Sequence, residues 1–221
     1  VVETGAALGL ALDGDADRCI AVDEQGALVD GDRIMAIAAT DLRGRGLLTG
    51  DALVVTVMSN LGLHEAMRER GIRVVETQVG DRYVLEALEA EGIALGGEQS
   101  GHVIFRSRAT TGDGVLSGLL LADVMTRSAE PLSTLASIVR PYPQVLRAVR
   151  VVDRDALAGA GAVWSCVREV EVALAGAGRV LVRPSGTEPV VRIMVEARDE
   201  AAAAAAAGAI ERAVVEALGR S

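Results

Sequence analysis

The sequence predicts an α/β protein: a partial leading segment, a central three-layer βα domain with a mostly parallel sheet, and a small C-terminal α+β domain. Three observations carry this. Between Ala52 and Val124, short apolar runs alternate with single amphipathic stretches, the rhythm of βα units. Three prolines then cluster at Pro131, Pro141 and Pro143. Beyond them the order changes to strand, helix, strand, strand, helix.

The leading segment holds two short apolar runs, Gly9 to Leu12 and Cys19 to Val22, divided by DGDADR and closed by a turn cluster at Asp23 to Gly26. Runs bounded this way read as strands. Asp30-Gly31-Asp32 opens a helix with Ile34, Ile37, Ala38 and Leu42 on one face. Ala52 to Val57 is a buried strand. Ser59-Asn60 caps a helix through Leu63 and Met67, with Gly71 past its end. A strand at Ile72 to Glu76 leads to a helix that Gly80-Asp81 caps and Gly92 stops. Strands follow at Ile93 to Leu95 and Val103 to Phe105, and Asp113 caps a helix through Leu120 and Val124. Glu130 to Pro143 reads as a linker. The last part has strands at 145–152, 179–183 and 190–197, a helix at 164–174, and an Ala-rich helix from Asp199 to Leu218. The expected domains are 1–28, 29–140 and 144–221.

Composition excludes several classes. The net charge is −9, and all 22 basic residues are Arg. Without Lys there is no Schiff-base lysine and no P-loop lysine. Aromatic residues make up 2%, too few for base-stacking platforms, and the acidic balance disfavours nucleic acid and anionic membrane as partners. No stretch reaches about 18 consecutive apolar residues. Cys19 and Cys166 form no CxxC pair and read as small buried residues in a reducing compartment. The chain opens at Val1 close to a strand, as though cut from something longer.

Three loops carry chemistry. In the first, Asp13, Asp15 and Asp17 alternate with Gly14 and Ala16. In an extended loop alternate side chains share a side, so three carboxylates converge and need a cation. Oxygen ligands of this kind select Mg²⁺, Mn²⁺ or Ca²⁺. Arg18 suits an anionic substrate beside the metal. A rival reading is a non-catalytic Ca²⁺-binding module on DGDADRCIAVDE, Asp13 to Glu24. It lacks the Gly an EF-hand needs at its sixth place, where Arg18 stands, and its flanks look like strands.

The second loop, GGEQSGH at 96–102, lies between strands where open α/β sheets place ligands. Glu98 and Ser100 suit vicinal sugar hydroxyls, and His102 can move a proton near pH 7. The bland alternative is a Gly-rich turn with a capping Ser. His64, inside a helix, reads as structural. The third loop, RPSGTEP at 183–189, offers backbone N–H groups and hydroxyls at Ser185, Gly186 and Thr187, flanked by Arg183 and Arg192. That combination fits a phosphate; the alternative is a Pro-stiffened turn.

DGDADR, GGEQSGH and RPSGTEP, in this order, resemble the α-D-phosphohexomutases, and the likeness spans essentially the whole chain. The wording GEQSGH, with TVMSNLGL at 56–63 and VGDRYV at 79–84, is similar to the members acting on glucosamine phosphates; those acting on mannose and glucose phosphates more often have Met where Gln99 stands. The resemblance implies a four-domain, Mg²⁺-dependent cytoplasmic isomerase of amino-sugar metabolism, supplying peptidoglycan precursors. It implies that Asp13, Asp15 and Asp17 bind Mg²⁺ and that Arg18 sits by the transferring phosphoryl. Glu98 and Ser100 would hold the sugar, and His102 would carry a proton. Arg183, Ser185, Gly186, Thr187 and Arg192 would grip the substrate phosphate. The family's phosphorylated serine, which passes its phosphoryl to the hexosamine phosphate through a bisphosphate intermediate, belongs to an N-terminal half with no counterpart loop here. The resemblance therefore covers the back half of an enzyme, expected to be inactive alone.

Overall fold

The computed structural model describes residues 1–219. They form two compact units, Val1–Pro141 and the described residues from Tyr142 onward. No helix among the described residues is long and apolar enough to cross a membrane.

The first unit begins with a three-stranded antiparallel sheet: β1 (Leu8–Leu12), β2 (Cys19–Asp23) and β3 (Leu28–Val29). β3 is a two-residue strand that the apolar pattern is too short to reveal. Helix α1 (Gly31–Gly44) follows, capped by Asp30, whose carboxylate accepts from the Arg33 N–H. The central sheet has the order β5-β4-β6-β7, made of β4 (Ala52–Thr56), β5 (Arg73–Thr77), β6 (Leu95–Gly97) and β7 (Val103–Phe105). β4 pairs parallel with both β5 and β6, and β7 closes the edge antiparallel to β6.

Alternation along β4 builds the three layers. Leu53 and Val55 face a core shared with α1, with α2 (Leu61–Glu69) and with α4 (Gly114–Ser128). Ala52 and Val54 face the opposite way, onto Val84 and Leu88 of α3 (Asp81–Glu91). The all-buried strand reads as a continuous apolar run because both its faces are covered. Asn60 and Asp113 cap α2 and α4 through side-chain oxygens. At α3 Gly80 holds the expected N-cap position, but no side-chain cap bond forms from Gly80 or Asp81.

The proline-rich stretch is not all linker. Leu132–Ala136 forms α5, with Leu132 and Ala136 buried in the first unit's core. Two apolar side chains in one turn are enough to draw the segment down onto the domain.

The second unit is an antiparallel sheet of order β8-β10-β9, from β8 (Gln144–Arg150), β9 (Gly178–Pro184) and β10 (Val190–Ala197). Helices α6 (Gly161–Leu174) and α7 (Glu200–Leu218) cover it around Val182, Val191, Ile193, Ile210 and Val214. α6 starts three residues earlier than its sequence pattern predicts, because Val163 is fully buried and joins Val167 on the inner face.

Candidate active site

The metal loop is a tight turn rather than an extended segment. The Ala16 N–H donates to the Asp13 carbonyl at 3.2 Å, and Ala16 takes a left-handed backbone with φ of 59°. The alternation argument therefore gives the right residues by the wrong geometry: it is the turn that gathers them. One oxygen from each of Asp13, Asp15 and Asp17 lies within 4.8 Å of the others. The Arg18 N–H donates to Asp13 Oδ1 at 3.2 Å, and Arg18 Nε stands 3.7 Å from both Asp13 and Asp17.

Electrostatics follow from this crowding. Partial burial, with the carboxylates of Asp13 and Asp15, holds Asp17 above its ordinary value. Asp13 moves the other way: against a burial penalty, the Arg18 N–H, the Asp17 carboxyl and the Arg18 charge hold it below. Asp17 Oδ1 is buried and accepts no hydrogen bond. A hard divalent cation would satisfy that oxygen and relieve the repulsion, so the donor set fits the implied metal.

Two other loops close around this turn. Gly101 carries φ of +94°, and a Cβ there would lie 2.3 Å from the Cys19 carbonyl oxygen. The Gly101 carbonyl in turn accepts from the Cys19 N–H at 3.1 Å. A side chain would therefore pry the sugar loop off β2. The third wall, residues 112–114, escapes sequence reasoning. The Gly114 N–H donates to the Ala16 carbonyl at 2.8 Å, and a Cβ on Gly112 would meet the His102 ring at 2.4 Å. The available signal is TTGDG at 110–114, a Gly-rich stretch directly before a helix, read only as a cap.

His102 joins all three walls. Its Nε2 accepts from the Gly112 N–H at 3.2 Å and lies 3.7 Å from Asp17 Oδ2. The residue is only 2% exposed. An imidazole so enclosed braces residue 112 through Nε2, and its Nδ1 is buried as well, so neither ring nitrogen stands at the surface where the sequence led one to expect a proton carrier for the sugar. Glu98 is half-buried, and its Oε1 accepts from the Gly80 N–H at the start of α3 at 3.1 Å. Ser100 is exposed, its Oγ 3.5 Å from Glu98 Oε2. Both follow the carboxyl end of β6, the edge where parallel sheets place ligands. His64 stands apart, 3.4 Å from Glu76, in keeping with a structural role.

The calcium-module reading fails on this geometry. Strands β1 and β2 flank the turn where an EF-hand needs helices. The whole of β2 separates Arg18 from Glu24, whose carboxylate is held by the hydroxyl and N–H of Ser133 in α5. That hydrogen bonding holds Glu24 below its ordinary value.

In the second unit, residues 185–189 join β9 to β10. Ser185 is buried, and its Oγ accepts from the Glu188 N–H at 3.3 Å. Arg154, unremarked in the sequence, braces the loop by donating to the carbonyls of Ser185 at 2.5 Å and Glu188 at 3.2 Å. Gly186 and Thr187 are exposed, and among the described residues their N–H groups meet no acceptor. A Cβ on Gly186 would meet nothing within 4 Å, so its own fold does not demand a glycine there. Arg183 and Arg192 are direct cross-strand partners. Arg192 pairs with Glu188 at 3.0 Å, while Arg183 has no ion-pair partner among the described residues. Two opposed cations beside free N–H donors make a seat for an anion.

A carboxylate turn, a sugar-type loop at a sheet edge and an anion loop in a separate unit define a phosphohexomutase architecture. Residues 30–142 match "Phosphoglucomutase/phosphomannomutase, alpha/beta/alpha domain III", and residues 146–213 match the C-terminal domain of the same proteins. The chain belongs to the phosphoglucomutase/phosphomannomutase family. Among curated relatives, the phosphoglucosamine mutase of Salinispora tropica is 60% identical over 203 residues, covering 92% of this chain and 45% of that protein. That of Desulforudis audaxviator is 57% identical over 196 residues, covering 89% and 44%. The chain thus spans about half the length of the relatives it matches. A phosphoglucomutase/phosphomannomutase family protein from Burkholderia thailandensis superposes with a TM-score of 0.76 at 25% identity, over 99% of this chain and 50% of that one. The Aspergillus fumigatus N-acetylphosphoglucosamine mutase, solved with GlcNAc-6P and magnesium, shares the fold with a TM-score of 0.78 at 23% identity, over 94% and 48%.

Proposed function

We propose that this chain supplies the metal, sugar and phosphate sites of a cytoplasmic phosphoglucosamine mutase, interconverting glucosamine 6-phosphate and glucosamine 1-phosphate. The gathering of Asp13, Asp15 and Asp17 within 4.8 Å, walled by the sugar loop, is the observation that carries the reading. Relatives of that name at 57–60% identity support the substrate. The three aspartates would hold Mg²⁺, which when bound polarises phosphoryl oxygens.

The chain's own residues do the rest. Glu98, fixed by the Gly80 N–H, and Ser100 accept and donate hydrogen bonds to neighbouring sugar hydroxyls. Arg183, Arg192 and the free N–H groups of Gly186 and Thr187 bind the phosphate that is not being transferred. Arg18, beside Asp13 and Asp17 and half-exposed, would direct its guanidinium to the phosphoryl in transit. His102 holds the residue 112 wall against the metal turn through the Gly112 N–H. The domain assignment in this reading is the close of a second domain at 1–28, a third domain at 29–140 and a fourth at 144–221.

The phosphorylated serine belongs to the half of the relatives that the chain does not match, so the 221-residue chain alone is inactive. Phosphoryl transfer needs a donor held in line, and nothing in these loops provides one. A coupled assay on the purified chain tests this, with no turnover expected until the serine-bearing half is added. Turnover that survives removal of contaminating full-length enzyme and vanishes in Asp13→Asn would overturn it.

A further inference from the structure

A well-formed cavity in the first unit lies away from the site. It measures about 310 Å³ and sits between α1 and α4, on side chains including Ile34, Ile37, Ala38, Phe105, Leu120 and Leu121. Its position follows from strand direction. Thr49, in the turn that leads into β4, and Ala94, the residue before β6, both line it. Glu98 immediately follows β6. The cavity therefore opens at the amino edge of the parallel strands, and the sugar loop stands at the carboxyl edge.

Its mouth has a definite charge pattern. Five ionisable side chains line it: Asp41, Arg45, Arg108, Asp123 and Arg127. Both acids are spoken for. Asp41 takes two bonds from Arg127, at 2.6 and 3.0 Å, and one from Arg45 at 3.2 Å. Asp123 takes the Arg127 Nε at 2.9 Å. Arg108 is exposed and has no side-chain partner among the described residues. Three arginines thus face two aspartates, an excess of positive charge on a chain whose net charge is −9.

We infer that this cavity binds a small amphipathic monocarboxylate, its apolar tail between α1 and α4 and its carboxylate on Arg108. Apolar voids of half this volume already bind small hydrocarbons, and pockets of this size are the ordinary scale for small ligands. The paired rim disfavours an added cation, because both acids already hold guanidiniums. An uncharged tail would gain the cavity but leave Arg108 unmet.

The test uses three probes with one tail: octanoate, octanol and octylamine, titrated into the ¹⁵N-labelled 221-residue chain and followed by amide shifts. Octanoate should bind most tightly, moving amides of α1, α4 and residues 105–108 while leaving 13–18 and 98–102 unmoved. Arg108→Ala should weaken octanoate about tenfold and leave octanol unchanged. Ala38→Leu should weaken both by filling the cavity; if that variant misfolds, Arg108→Ala, at the surface, decides alone. Shifts confined to the carboxyl edge, no saturable shift with any probe, or equal affinity for octanoate and octanol that Arg108→Ala does not change would each overturn the inference.

Discussion

Replacing Arg183 with Met should make the second unit more stable and its phosphate binding weaker. Arg183 and Arg192 stand directly opposite each other on β9 and β10. Like charges in that position destabilise a sheet by roughly 0.2–1 kcal/mol. Glu188 offsets part of the cost through Arg192, at 3.0 Å, which leaves about 0.5 kcal/mol to regain. Met keeps most of the aliphatic stem, so packing changes little. For a unit of about 80 residues the gain corresponds to ~2–4 °C in Tm. In binding the sign reverses: losing a charge-assisted bond costs ~1.5–3 kcal/mol, roughly a 10- to 150-fold loss of affinity. The chain carries its own reporter, because its one Trp, Trp164, lies in α6 against the second unit's core and donates to the Leu157 carbonyl at 2.8 Å. Thermal unfolding by Trp164 fluorescence, in phosphate-free buffer at low salt, reads the first effect. Calorimetric titration with glucosamine 6-phosphate reads the second. The stabilisation should shrink at high salt, since exposed charges are screened. A variant less stable than the parent in phosphate-free buffer, yet binding as tightly, would refute the reasoning on both counts.

Three further outcomes follow, two in the first unit and one in the second. Asp17→Asn should raise the Tm at pH 7 without divalent cation: a carboxylate whose folded pKa is raised stabilises only below its ordinary value, and that stability is lost as pH rises through the folded one. The same variant should lose the Tm rise that Mg²⁺ gives the parent, so a parallel Mg²⁺ titration checks the assignment. Gly101→Ala should destabilise the first unit by at least about 1–3 kcal/mol, from its positive φ alone; displacing the loop from β2 should also weaken Mg²⁺ binding, measured by calorimetry. A Gly186→Ala variant should instead keep the parent's Tm, since its Cβ has open space, and lose phosphate affinity.

Most of the fold was legible because its signals are local. β4 reads as a strand from its apolar run alone, and four of the expected helix starts, at Asp30, Asn60, Asp113 and Asp199, are occupied by caps that accept from backbone N–H groups. Where expectation and structure part, a long-range contact decides. α5 is helical because Leu132 and Ala136 reach a core assembled from distant segments. α6 is extended by Val163 seeking the sheet. At α3 the N-cap Gly80 is as expected, but the acceptor for its N–H, the Glu98 carboxylate, arrives from another loop and is not legible locally.

The site divides along the same line. Charge and hydrogen-bonding type are written in single residues, so the three aspartates and the two arginines stand out from composition and spacing, whereas Glu98 and Ser100 read equally well as a Gly-rich turn until the three loops are taken together. What holds them is written in absences. Gly101 and Gly112 matter because neighbouring backbone and ring atoms occupy the space their side chains would take, 2.3 and 2.4 Å from a Cβ. A glycine of this kind looks like any turn glycine until its neighbour is known. His102 is the instructive case. Its residue type led to proton transfer, whereas its surroundings enclose the ring between Gly112 and Asp17. The type of a side chain thus sets what chemistry it can do. The loops packed against it set which of those it does, and in this chain glycine contacts bring those loops close enough to decide.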